Sequence, residues 1–235
     1  MKDDVEFASP PLLPGGVLTH YPMNVRHGFL RRVYTLLSLQ LFVTTAVCAA
    51  AMYVPSVTRA ITASPDVAVY ASFGGLGCIV ALYCAASRFP WNLLLLFGFT
   101  MCESYSLAHV CAQYSAHGAG VTILAAFAVT VGLFVGLSVY AHVTRVDFHW
   151  LSTSLMVGVV ALLAMSLVNA FTPLPLAHTL IASGGVTLFC GYVLYDTSEM
   201  LTRFTPDDAV IAVVSLYLDV VNLFVCLLSL LSSRD

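Results

Sequence analysis

Three carboxylates stand where the sequence is otherwise oil: Glu103 in FGFTMCESYSLA, Asp196 in GYVLYDTSEML and Asp219 in SLYLDVVNLF. No Lys or Arg lies within those stretches. An ionised carboxylate at the centre of a bilayer costs about 2.5–3.5 kcal/mol on insertion scales, so such groups face a bundle interior or stay protonated. Two carboxyls within hydrogen-bond reach in a low-dielectric site do not readily ionise together, and they share a proton. A pair of that kind is a proton-sensitive latch between the helices that carry it. Carboxylates are also hard oxygen ligands suited to Ca²⁺ or another hard cation. A path lined by Glu103, Asp219 and Asp196, with Glu199, Asp207 and Asp208 at its mouth, favours cations. The same carboxyls kept neutral would serve simply as hydrogen bonds between helices. The residue types alone leave both readings open.

The elements that must position these acids follow from the apolar runs. A membrane span takes about 20 predominantly apolar residues. Seven segments qualify: Val33–Val54, Val67–Ser87, Trp91–Gln113, Ala119–Ala141, Trp150–Phe171, Leu176–Thr197 and Ala209–Leu231. Pro55, Pro65, Pro90, Gly118, Pro173, Pro175 and Pro206 punctuate the gaps. Short loops make neighbouring helices antiparallel. FTPDD joins the sixth and seventh spans, which must therefore be adjacent. Thr205 is the expected N-cap, with Pro206 at the first helical position and Asp207 and Asp208 in the first turn. Straight-helix counting at 1.5 Å per residue puts Glu103 and Asp219 at about 18 Å depth and Asp196 at about 10 Å. Asp196 and Asp219 then sit on neighbouring helices, roughly 9 Å apart in depth on that count. Gly132 and Gly136 form a GxxxG expected to pack closely on another helix, and Gln40, His109, Asn169, His178 and Asn222 are expected to bond between helices or sit at an interface.

Of 235 residues, 60% are hydrophobic and only 9% charged, against about 25% charged in soluble domains. One soluble core cannot bury that much apolar surface. The class is an all-α integral membrane protein. Nine Lys and Arg and a net charge of -3 assemble no basic stripe, so nucleic acid is not an expected partner. With the N-terminus cytosolic, Lys2, Arg26, Arg31, Arg32, Arg88, Arg145 and Arg203 fall on the cytosolic side and only Arg59 and Arg234 on the other. That is the positive-inside pattern. Residues 1–24 form a Pro- and Gly-rich leader expected to be disordered. Residues 25–231 form the membrane domain and 232–235 a short tail. If the last run re-enters rather than crosses, both ends lie on one side. The basic stretch NVRHGFLRRVY feeds the first span as a headgroup-facing segment. All seven cysteines fall in apolar runs without C-x-x-C, so no disulfide framework or zinc site is expected.

Several of these stretches together resemble the transmembrane Bax-inhibitor-motif family, which includes the Golgi anti-apoptotic proteins. RHGFLRRVYTLLSLQLFVTT, FGFTMCESYSLA, GYVLYDTSEML and SLYLDVVNLF carry the resemblance in order, over about Val25 to Leu231. It implies a seven-transmembrane-helix bundle with the last helix central. It also implies a viroporin-like Ca²⁺ leak of the endoplasmic reticulum, or of the Golgi, that lowers stored Ca²⁺ and suppresses apoptosis. The paired aspartates of the family's last two helices map onto Asp196 and Asp219 as the proton-sensitive gate and a transient Ca²⁺ site. Glu103 maps onto the acid of the third helix. The second-helix arginine that holds this pair in a bacterial relative has no counterpart within Val67–Ser87, which leaves Arg88, just beyond it, as the candidate latch. Cellular members often carry a charged tail, and the short SSRD here is not expected to support a tail-dependent interaction. The compact, cysteine-rich form is most similar to seven-span proteins of cytomegaloviruses. Membrane lipid and Ca²⁺ are the implied partners, with no cofactor beyond the permeant ion. The alternative is a non-conducting scaffold that binds host membrane proteins of apoptosis or calcium handling. An enzyme is not expected: zinc-ligand clustering and G-x-S-x-G are both missing from the sequence. A receptor of the G-protein-coupled kind would need the opposite orientation.

Overall fold

The computed structural model describes Leu18 and residues 21–86, 88–144, 146–172 and 175–233. Most of the leader lies outside the described residues, as do Lys2, Arg145, Pro173 and Arg234. Among the described residues the regular elements are all helical: α1 (Met23–Tyr53), α2 (Pro55–Thr62), α3 (Pro65–Ala85), α4 (Trp91–Ala116), α5 (Gly120–Thr144), α6 (Ser152–Phe171), α7 (Pro175–Thr202) and α8 (Ala209–Ser232). All but α2 are long and apolar enough to cross a membrane. The seven expected spans are therefore present. α8, at 24 residues, extends about 36 Å, which is long enough to cross.

Two boundaries depart from the sequence reading. α1 begins at Met23 and runs unbroken for 31 residues, so the basic stretch is the first part of the spanning helix rather than a separate segment. α2 was not expected between Pro55 and Pro65. Pro55 sits at its first position, where its missing N–H costs nothing. The Thr58 hydroxyl donates to the Ala51 carbonyl at 2.7 Å, which folds α2 back onto the end of α1. Ile61 is buried beside Ala51, Ala108 and Ala112. His109 Nδ1 on α4 lies 3.1 Å from the Ile61 carbonyl oxygen, and His109 Nε2 bonds Gln113 at 2.8 Å. This histidine tethers α2 rather than joining two spans.

α8 occupies the middle of the bundle, with fourteen buried residues, and packs on α1, α3, α4, α5 and α7. In lipid, close packing and hydrogen bonds replace the hydrophobic drive between helices. Both are used here. Gln40 Nε2 on α1 donates to Thr100 Oγ1 on α4 at 2.6 Å. One turn on, Thr44 Oγ1 lies 2.9 Å from both Ser104 Oγ on α4 and Tyr217 Oη on α8. Phe99 meets the Tyr217 ring edge-on at 5.5 Å. α6 stands at the periphery and reaches the bundle mainly through α7. Gly158 lets Leu188 approach there: an added Cβ would come within 2.5 Å of the Leu188 side chain.

The GxxxG expectation is not met within the chain. No atom of another helix among the described residues lies within 4 Å of the Cβ position of either Gly132 or Gly136, so neither packs closely on one of those helices. Asn222 also differs from expectation, since its side-chain amide donates to the Leu218 carbonyl of its own helix at 2.8 Å. Gln40 and His178 do bond between helices; His178 Nε2 pairs with Ser229 Oγ at 3.2 Å.

Candidate functional site

The tight connection from α7 to α8 sets the geometry of the aspartates. The amides of Arg203 and Phe204 both donate to the Glu199 carbonyl, at 2.8 and 3.2 Å, so the last turn of α7 winds on to Phe204. The Thr205 amide and hydroxyl then donate to Asp208 Oδ2 at 2.9 and 2.7 Å. Pro206–Asp208 form a short 3₁₀ turn that leads into α8. Thr205 stands at the cap position of this 3₁₀ turn, not of α8 itself, and its bonds commit the Asp208 carboxylate to the turn. Asp207 is exposed beside it. From Phe204 back to Asp196 is eight residues, about 12 Å of rise, and from Ala209 forward to Asp219 is ten, about 15 Å. The depth gap expected from counting thus shrinks to a span that two side chains bridge.

The Asp196 and Asp219 carboxyls lie within hydrogen-bond reach of each other. Asp219 is 4% exposed, and its Oδ2 has no donor among the described residues. Two carboxylates facing each other lack a donor between them, and only a proton held by one can join them. Tyr192, one turn before Asp196, is within electrostatic reach of both. The Thr197 hydroxyl beside them is buried and has no partner among the described residues.

Beyond the pair, at the side of the bundle where α1 begins, the end of α7 grips the connection between α5 and α6. Ser198 Oγ accepts from the Phe148 amide at 3.2 Å and donates to the Val146 carbonyl at 3.1 Å. Arg203 pairs with Asp147 at 3.1 Å and with Glu199 at 3.3 Å. Glu199 also meets His149 Nδ1 at 3.0 Å, and the His149 ring stacks on Tyr195 at 6.2 Å. The His149 amide donating to Asp147 Oδ1, reinforced by Arg203, holds the Asp147 carboxyl below its usual range. Asp147, His149 and Arg203 are thus functional candidates that the sequence reading did not join to Glu199. The Glu199–Arg203 spacing of four residues was a legible signal for one of these contacts.

The other expected site residues lie apart from the aspartates. Glu103, on α4, leans on α3: a Cβ at Gly75 would sit 2.7 Å from its Oε1. Tyr217 and Asp219, two residues apart, point about 200° apart around α8. The Thr44–Ser104–Tyr217 node and Glu103 behind it therefore lie across α8 from Asp196. The three acids do not line one wall. Arg88 is exposed in the turn between α3 and α4 and makes no ion pair among the described residues, so it does not latch the pair in this conformation.

These elements coincide with known proteins over nearly the whole chain. A family profile described as "Inhibitor of apoptosis-promoting Bax1" matches residues 26–235. Mouse "Protein lifeguard 4" is 35% identical over 93% of this chain and 90% of its own length. The "Golgi anti-apoptotic protein" of vaccinia virus strain Lister is 34% identical over 92% and 90%. Fission yeast "Bax inhibitor 1" is 32% identical over 88% and 77%. Seven helices fit to cross a membrane, in a chain matched over most of its length by these relatives, make this multi-pass membrane protein a member of the Bax inhibitor (TMBIM) family.

Proposed function

We propose that the protein is a cation leak of an intracellular membrane, with Ca²⁺ as the permeant ion and protonation of the Asp196–Asp219 pair as its gate. By releasing stored Ca²⁺ it suppresses apoptosis, in keeping with the names of its viral and yeast relatives. The N-terminus faces the cytosol in this reading, and the membrane is that of the endoplasmic reticulum or Golgi. The observation that carries it is the carboxyl pair, buried at Asp219 and half-buried at Asp196, with no cationic partner among the described residues, on the central helix and its neighbour. While one proton is shared, the pair ties α7 to α8. Full ionisation sets two like charges face to face at low dielectric and drives them apart. Separation at that level frees four carboxylate oxygens, a donor set suited to Ca²⁺. Glu199 and Asp207 lie toward the cytosolic mouth and raise the local cation concentration; Glu103 supplies a second acidic position across α8.

The test is Ca²⁺ flux into liposomes across a pH series. The native protein passes Ca²⁺ at a rate that changes with pH between 5 and 8. The double variant Asp196→Asn/Asp219→Asn, which leaves no carboxyl at the pair to take up or release a proton, gives a rate that does not vary with pH. Folded protein that passes no Ca²⁺ at any pH leaves the scaffold role and ends the channel reading.

A further inference from the structure

On the face of α8 turned away from Asp196, a cavity of about 450 Å³ opens between α1 and α5. Its walls are α1 from Leu41 to Tyr53 and the first half of α5, its back is the end of α4, and its floor is Val220, Val221 and Phe224 of α8. α1 and α5 hardly touch, so the cavity is a cleft open along its length. We propose that this cleft is a binding site for one acyl chain of a bilayer phospholipid, seated against the back of the central helix.

The lining chemistry selects hydrocarbon. Two of its threonine hydroxyls are spent inside the protein: Thr44 donates to the Gln40 carbonyl at 2.9 Å and Thr130 to the Ala126 carbonyl at 2.7 Å. What they turn to the cleft is methyl. The exposed Thr45 and Tyr53 carry the remaining hydroxyls of a lining that is otherwise apolar but for two cysteines, too few polar partners to hold a water chain or an ion path. The cleft is also continuous with the surface that meets lipid. Phe42, Leu124, Phe127 and Val131 line it and are exposed on helices that cross the membrane. The only solvent able to enter is therefore the hydrocarbon of the bilayer.

Shape narrows the occupant further. Leu41 to Tyr53 is twelve residues, about 18 Å along α1. The cleft is therefore a long, narrow slot of about 450 Å³, which suits a single extended chain. A helix of a second protein, about 10 Å across with its side chains, takes up far more than that volume over the same length. The cleft ends at Tyr53, the last residue of α1, an aromatic placed where spans meet the headgroup layer. A phospholipid with its headgroup at that level sends one tail down the cleft to Val220 and Phe224.

The experiment places the full chain in phosphatidylcholine vesicles containing a phosphatidylcholine with a photoactivatable diazirine in one acyl chain. Irradiation and peptide mapping then locate the label. Expected is severalfold more label on Phe42, Ala49, Phe127 and Phe224 than on the lipid face of α6 at Val157 and Val160. Ala49→Phe and Val131→Phe fill the cleft from opposite walls, and each lowers the cleft label severalfold. Val160→Phe leaves it unchanged. Mass spectrometry of the native protein from mild detergent shows one retained phospholipid, which decides the matter should both filled variants misfold. Even labelling of all outward faces overturns the proposal. So does cleft label indifferent to both filled variants, cross-linking to a second chain through the cleft, or native protein that retains no phospholipid.

Discussion

Thr44 shows how much one hydroxyl can hold in a bundle of this kind. It has one proton and two lone pairs. The proton goes to the Gln40 carbonyl, which leaves it accepting from Ser104 and Tyr217. Three helices meet at that atom. Thr44→Val keeps the shape and removes the oxygen that ties α1 to the buried Tyr217 hydroxyl, which keeps Ser104 within hydrogen-bond reach. A buried group left wholly unpaired costs about 1–3 kcal/mol, while hydrogen bonds between spans average only about 0.6 kcal/mol. Thr44→Val should therefore destabilise by about 1 kcal/mol in equilibrium unfolding with SDS. Adding Ser104→Ala, which does strand the Tyr217 hydroxyl, should cost more. The sequence did not reveal this node, because Thr and Ser within spans commonly bond their own helix, as Thr100 and Thr130 do here. Gln40, a larger amide with no such local option, was legible as an interhelical bond. The aspartates were legible as acids on adjacent helices. Their meeting was not, because the 3₁₀ turn at Pro206–Asp208, which delays α8 to Ala209, and the extra winding of α7 to Phe204 are backbone details that no residue type announces.

The connection between α5 and α6 is held by the end of α7 through exposed charges. Such pairs are worth about 0.2–1 kcal/mol each. Asp147→Asn should thus raise amide hydrogen exchange at residues 146–149 by no more than about fivefold at neutral pH. Arg203→Gln, which also frees Glu199, should raise it more. The sign with pH follows from the lowered Asp147 carboxyl. A carboxyl held lower in the folded state stabilises fully above its unfolded value, about 3.9, and that contribution fades as pH falls through the folded one. The difference between native and Asp147→Asn protein should therefore persist across the neutral range and vanish only in strong acid. At this scale the spans were readable from hydropathy and breakers, since a 20-residue apolar run has few other uses. α2 escaped notice because eight residues between two prolines read as a loop. Its helicity depends on Thr58, Ile61 and His109, contacts made across α1 and α4. Ion pairs from the loop to α7 likewise need the packed bundle before they exist.

Across the whole molecule, burial is distributed unevenly, and the imbalance predicts where the fold is vulnerable. α8 is the most enclosed of the seven spans and α6 the least, though both are almost entirely apolar in sequence. Hydropathy cannot tell them apart, because lipid and protein interior are equally greasy. Only the family resemblance placed the last helix at the centre. The difference should appear as packing energy. Leu223 is 0% exposed, and Leu223→Ala opens a void that neighbouring helices fill poorly, at a cost of about 2–4 kcal/mol. Val160 on α6 is exposed; lipid flows into whatever Val160→Ala leaves, and the change should stay within about 0.5 kcal/mol. Unfolding in SDS, followed by circular dichroism, measures both on one scale. Comparable losses at the two positions would mean that α6 is as enclosed as α8, covered on its outer face by a partner. A loss confined to α8 would mean that the central helix carries the fold on every side. It presents Asp219 to α7 on one side, Tyr217 to α1 and α4 on another, and Phe224 to the acyl-chain cleft.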